Sequence, residues 1–236
     1  MLQSFQIFDQ PLKTLPDKEK LMINTINAYC YNLTQTDEVY RRALLDSNVL
    51  IPDGISIVWA IKWLTGQKLS KIAGEDLFYY EMDRIQKSSG KCFFLGSTPE
   101  TLMKIKERIN KEYPYIQVET YSPPYKPEFT TEDNLAMLNA VNTFCPDVLM
   151  IGMTAPKQEK WAYQNYHHLK VGHICSIGAV FDFYAGTVRR APRWMISLGL
   201  EWFYRLIMEP KRMWRRYLIG NTIFLKHLLT EKKRQE

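Results

Sequence analysis

Between residues 21 and 178 the apolar positions follow two alternating rhythms. Short apolar runs closed by glycine, proline or asparagine predict strands, and longer stretches with helical spacing predict helices. The strand-like runs are LMINTI (21–26), NVLI (48–51), KCFFLG (91–96), IQVETY (116–121), DVLMIG (147–152) and HICSIG (173–178). Helical patterns follow to about residue 45, over ISIVWAIKWL (55–64), and over 76–86, 99–113 and 131–144, with another starting near Pro156. ISIVWAIKWL is apolar at nearly every position and reads as a buried helix, and Thr98 is placed to cap the helix after it. Strands alternating with helices of this length predict an α/β, Rossmann-like, mostly parallel sheet with helices on both faces, spanning residues 1–190. From Pro192 onward the strand signal stops, and residues 191–236 read as a helical appendage.

Charge separates the same two parts. Residues 189–236 carry twelve Lys/Arg against four Asp/Glu, a net of +8, whereas residues 1–188 carry a net of −2. In the basic part the cations are interleaved with Trp194, Trp202, Phe203, Tyr204, Trp214, Tyr217 and Phe224. No run approaches the roughly 20 apolar residues of a membrane span. Such a segment is expected to lie on an anionic surface or to grip an anionic ligand. The 236 residues, 46% hydrophobic, suffice for a sizeable core. The first twenty residues lack the pattern of a signal peptide. Cys30, Cys92, Cys145 and Cys175 stand singly among apolar residues, so buried thiols and a cytoplasmic location are expected.

In a parallel sheet of this kind ligands bind at the carboxyl ends of the strands, and polar residues and glycines gather there. Asp53 follows one strand and precedes Gly54, which projects a carboxylate from the strand end; Pro-Asp-Gly is also an ordinary turn, and Asp an ordinary cap. Asp182 shares that ambiguity. Residues 152–159, GMTAPKQE, place backbone N–H groups at a helix start, a setting for phosphate or a polar nucleotide edge. Neither GxxxxGK[ST] nor GxGxxG occurs, and no Asp-x-Asp or helically spaced histidine pair suggests a metal, since His167 and His168 are adjacent. Any diphosphate would then be balanced by protein cations. Arg205, Arg212 and Arg215, at i, i+7 and i+10, form one stripe of a continuous helix, although Pro210 is placed to kink it. The plain alternative is a solvated face carrying a Glu201–Arg205 pair.

Seven ordered motifs carry a resemblance: TIN (25–27), PDGISIVWA (52–60), KIAGEDL (71–77), FFLGSTPE (93–100), IGMTAPKQEKW (151–161), SIGAVFDFYAGTVRRAP (176–192) and LEWFYRLIMEPKRMWRRY (200–217). Together they resemble the WecG/TagA/CpsF family, glycosyltransferase family 26. The resemblance implies an inverting, metal-independent transferase that moves a sugar, with N-acetylmannosamine a family precedent, from a UDP donor to a polyprenyl-diphosphate-linked sugar acceptor. It implies work at the cytoplasmic face of the cell membrane, in surface polysaccharide or teichoic acid synthesis, without a cofactor. By the same resemblance Asp53 is the general base, and Thr25, Asn27 and Gln158 line its pocket. Arg205, Arg212 and Arg215 hold the diphosphate, and Gly54, Lys71, Gly96, Gly152, Pro156, Glu159 and Asp182 are expected at the substrate site. Lys71 stands where many members carry arginine, and lysine lacks the bidentate fork. Two other classes fit the charge break alone: a nucleic-acid-binding module, disfavoured by the core motifs, and a non-catalytic membrane scaffold. A homo-oligomer is left open.

Overall fold

Six strands, β1 (Leu21–Ile26), β2 (Val49–Pro52), β3 (Lys91–Gly96), β4 (Gln117–Tyr121), β5 (Val148–Gly152) and β6 (His173–Ser176), form the centre of the computed structural model. It describes residues 2–17 and 19–234; positions 1 and 18 of the expected core, and 235 and 236 of the expected appendage, lie outside the described residues. The strands pair in the order β2-β1-β6-β5-β3-β4, and every pairing is parallel. Side chains alternate across the sheet as the pleat requires. Ile23, Cys92, Phe94, Val148, Met150 and Cys175 pack into one apolar layer. Met22, Phe93, Leu95, Leu149, Ile151 and Ile174 pack into the other. Both faces are therefore buried, which explains why the central runs are continuously apolar rather than alternating.

Among the described residues eight helices surround the sheet: α1 (Ala28–Leu33), α2 (Glu38–Leu45), α3 (Ile55–Thr65), α4 (Gly74–Lys87), α5 (Pro99–Glu112), α6 (Thr131–Phe144), α7 (Lys157–Asn165) and α8 (Val180–Tyr184). α4, α5 and α8 cover one face through Leu77, Phe78, Leu102, Ile105, Val180 and Phe181. α6 and α7 cover the other through Met137, Val141, Trp161 and Ala162. Local chemistry sets several starts. Asn27 accepts the Cys30 N–H at 3.0 Å, Asp37 that of Tyr40 at 2.9 Å, and Thr98 that of Thr101 at 3.3 Å. Thr130 and Asp133 form a reciprocal capping box on α6. Below the sheet Glu81, fully buried, lies 2.7 Å from both His173 Nδ1 and Arg84 Nη2, so its charge is partnered.

Two sequence expectations are corrected. α3 is not buried all round: Ile57, Ala60, Ile61 and Leu64 face the core, while Trp59 and Trp63 face solvent. It packs by one stripe beside the edge strand β2, so its other side has no layer to meet. Cys30, Cys92 and Cys175 are buried, but Cys145 is exposed, because it ends α6 in a left-handed conformation with φ 49°.

The C-terminal segment comprises α9 (Arg193–Ser197), α10 (Glu201–Met208), α11 (Pro210–Trp214), a π-helical turn at Arg215–Ile219, and α12 (Gly220–Lys233). Glu209 leaves helical geometry at φ −130°, and Pro210 opens the next helix at a position where its missing N–H costs nothing. α12 returns to the core. Phe224 packs edge-on to Tyr31 at 5.4 Å and, with Leu228, joins the cluster of Leu2, Phe5, Leu50 and Ile61. Glu231, 3% exposed, accepts the Leu2 N–H at 2.8 Å, the Gln3 N–H at 3.2 Å and the Tyr31 hydroxyl at 3.1 Å. This carboxylate ties the chain start, α1 and the last helix together. Glu231→Ala leaves those donors buried without an acceptor and is expected to cost about 2–4 kcal/mol. Thermal denaturation should show a Tm lower by roughly 5–10 °C; an unchanged Tm would remove the clasp from the stability of the fold.

Candidate active site

The carboxyl ends of all six strands open on one cavity of ≈1190 Å³. β1 contributes Thr25 and Asn27, β2 Asp53 and Gly54, and β3 Ser97 and Thr98. The loop after β4 contributes Ser122 to Lys126, β5 leads to Gly152, Gln158 and Glu159, and β6 leads to Gly178 and Asp182. Arg190, Glu201, Trp202, Arg205, Arg212 and Arg216 complete the wall from the C-terminal side.

Asp53 is set by the backbone on both sides. Its N–H donates to Ile26 O at 2.9 Å, and Ile72 N–H donates to Pro52 O at 3.2 Å. Gly54 then turns with φ +123°, a conformation that favours glycine, and a Cβ there would stand 3.6 Å from Asn27 Cβ. Gly54, not Asp53, is the N-cap of α3, and that cap takes no side-chain bond. The carboxyl is thus left for the cavity. Burial, with Glu201 adding to it against Lys71, Arg216 and Arg190, pushes the Asp53 pKa up to about 6.

Across the cavity the residues after β5 form a fixed chain of hydrogen bonds. Met153 N–H donates to Gln158 Oε1 at 3.1 Å, and Gln158 Nε2 donates to Glu159 Oε1 at 2.8 Å. The amide of Gln158 is therefore oriented from both ends. Glu159 is 1% exposed, its Oε2 has no hydrogen-bond partner, and burial pushes its pKa up to about 7 against the Gln158 hydrogen bond and the charge of Arg216. Asp182 is also pushed up by burial; of the charges around it, Arg212 and Arg205 oppose the shift and Glu209 adds to it.

The cations divide into two groups. Arg190 pairs with Glu75 and with Glu201 (3.4 Å), and Lys71 pairs with Glu201 at 3.8 Å. Arg205 and Arg216 differ: the Nε of each is buried without a hydrogen-bond partner. Arg205 Cζ lies 5.5 Å from the Phe183 ring, and Arg216 Cζ 4.4 Å from the Tyr29 ring. Aromatic faces hold these guanidinium groups while leaving N–H donors unmatched, which is costly unless an acceptor arrives. Arg212 also lines the cavity and bonds Glu209 at 2.6 Å.

Of the residues singled out from sequence, Thr25, Asn27, Asp53, Gly54, Lys71, Gly152, Gln158, Glu159, Asp182, Arg205 and Arg212 share this cavity. Gly96, Pro156 and Arg215 are not on its wall. Gly96 serves strand packing, since a Cβ there would stand 2.5 Å from Gly152 O. Pro156 follows a cis bond at the start of α7. Arg215 is exposed over the Trp214 ring at 5.3 Å, and the inward position falls to Arg216, one helical turn after Arg212. Arg190 and Arg216 were missed in the sequence, as was the loop after β4. Lys157 donates to Lys126 O and stands 3.7 Å from the Phe129 ring, holding that loop at the cavity. Among the described residues no three His, Cys, Asp or Glu side chains gather as metal ligands would.

The profile of the Glycosyl transferase WecG/TagA/CpsF family matches residues 2–236. Two similar proteins are each named N-acetylglucosaminyldiphosphoundecaprenol N-acetyl-beta-D-mannosaminyltransferase. The protein of Bacillus subtilis strain 168 is 33% identical over 198 residues, covering 84% of this chain and 75% of the relative. The protein of Bacillus spizizenii strain W23 is 30% identical over 179 residues, covering 76% and 67%. A match along nearly the whole chain, on a fold that brings residues of the seven motifs to one cavity, makes this protein a member of the WecG/TagA/CpsF family of glycosyltransferases.

Proposed function

We propose that the protein transfers N-acetylmannosamine, or a closely related hexose, from a UDP donor to a sugar carried on a polyprenyl diphosphate, with inversion and without an essential metal. The observation that carries this reading is the pairing of one desolvated carboxyl, Asp53, with two guanidinium groups, Arg205 and Arg216, whose buried Nε donors lack partners on the same cavity. Inversion needs one base on the acceptor side and stabilisation of the departing nucleoside diphosphate on the other. Asp53 takes the proton of the acceptor hydroxyl as that oxygen attacks the anomeric carbon. Arg205, Arg212 and Arg216 meet diphosphate oxygens, a role for which the planar fork suits arginine. The oriented amide of Gln158 and the hydroxyl of Thr25 position sugar and nucleotide between them. The names of the two relatives support the acceptor class and the sugar.

The basic appendage fits an enzyme peripheral to the cytoplasmic face of the membrane, drawn there by anionic lipid. No helix among the described residues is long and apolar enough to cross a bilayer.

The direct test is a panel of UDP-sugars against a short-chain polyprenyl-diphosphate sugar acceptor, scored for UDP release and product. Asp53→Asn should lower turnover by about 10²–10⁴. In the unmodified protein kcat/KM should fall about tenfold per pH unit below about pH 6, where Asp53 gains its proton. Near-normal turnover of Asp53→Asn, or a flat profile from pH 5 to 7, would count against the base.

Asp53 also yields a stability prediction of opposite sign. Its folded pKa lies above the unfolded value, so the fold prefers the neutral carboxyl and loses stability as pH rises from about 4 to about 6. Asp53→Asn should therefore be more stable by about 3 kcal/mol at pH 7.5, with the gain vanishing near pH 4. Denaturant midpoints at the two pH values check this, and equal gains at both would show that the charge is not the cause. Separately, turnover should survive EDTA; loss restored by Mg²⁺ would overturn the metal-free reading.

A further inference from the structure

Trp59 and Trp63 lie one helical turn apart on α3 and remain 64% and 46% exposed. The opposite stripe of the helix is packed against Leu2, Phe5, Leu50 and Phe224, so the helix is well seated and its indoles are not waiting for a place in this core. Trp59 both faces solvent and lines the cavity, which puts it on the rim. α3 starts directly after Asp53-Gly54, so the rim helix follows the carboxyl by two residues in the chain. Gly199 lies against Ile55, and brings the exposed Leu198 beside the start of the helix. Lys62, exposed and on the same helix between Trp59 and Trp63, places a cation next to the indoles.

We propose that the outer face of α3 is a membrane anchor, in which Trp59 and Trp63 enter the interfacial layer of an anionic phospholipid bilayer and hold the cavity rim against it. This rests on the reading of a lipid-linked acceptor. A polyprenyl tail keeps its diphosphate at the level of the headgroups, so the base must be carried to that level. Indoles favour that layer, being apolar in body with a polar N–H, and a neighbouring lysine complements anionic headgroups. The anchor sits on the core, next to the base, and is distinct from the basic appendage. The appendage supplies attraction; α3 supplies depth and orientation.

The test uses the full chain and vesicles of phosphatidylglycerol and phosphatidylcholine. Trp63→Gln should weaken co-sedimentation by about tenfold, and Trp63→Phe by much less. Trp63 does not line the cavity, so turnover of a water-soluble short-chain acceptor should be unchanged. Turnover of a long-chain acceptor embedded in the vesicles should fall in parallel with binding, through KM. Unaltered sedimentation of Trp63→Gln overturns the anchor. So does loss of a dimer in ultracentrifugation with vesicle affinity retained, which would make this face a contact between copies of the chain. Loss of short-chain turnover overturns it too, by showing a role in the site. A protein without transferase activity that still sediments in a Trp63-dependent manner would support the anchor while sinking the catalytic reading.

Discussion

Parallel pairing is the constraint from which the site follows. Because β1 to β6 all run the same way, the six loops that leave their carboxyl ends emerge at one edge, and the hydrogen-bonded register between neighbours sets how far apart they stand. The spacing is tight at the centre. Gly96 and Gly152 are paired in register, and a Cβ on Gly152 would fall 2.3 Å from the Phe181 ring. Glycine at these positions lets β3, β5 and α8 close on one another, which brings Gln158, Glu159 and Asp182 to the wall shared with Asp53.

The charges on that wall are arranged rather than merely collected. Glu75 and Glu201 occupy Arg190, and Glu201 also occupies Lys71, so these groups hold the C-terminal segment to the core. Arg205 and Arg216 are held instead by rings, which fix position without saturating hydrogen bonds. The consequence is a division between cations that hold the structure and cations left for a ligand. It also explains the raised pKa of Asp53, since burial and Glu201 outweigh cations largely committed elsewhere.

The C-terminal segment joins these two roles. Its early helices carry the arginines of the cavity, and its last helix shares a core with α1 and the chain start, locked by Glu231. The positive excess seen along the sequence is thus built into a packed structure rather than trailing from it, and its cavity-facing part is positioned by the same contacts that complete the fold.

Much of this was legible in the chain, for identifiable reasons. The strands LMINTI, KCFFLG and DVLMIG declare themselves because both faces of a parallel sheet are buried, and Thr98 declares a helix start because capping is local. Asp53, Gln158 and Arg205 could be picked out because they sit in motifs at strand ends or in the basic segment. Neither the exchange of Arg215 for Arg216 nor the exposure of Trp59 and Trp63 could be read this way. The first depends on how the last helices break at Glu209 and turn Arg212 and Arg216 to the cavity, and the second on α3 packing by one stripe beside the edge strand β2. Local pattern and chemistry determined the elements and the residue types at their ends. Which side chains meet, and which remain unmatched, was decided by tertiary packing, because burial and charge pairing depend on neighbours that are distant in sequence.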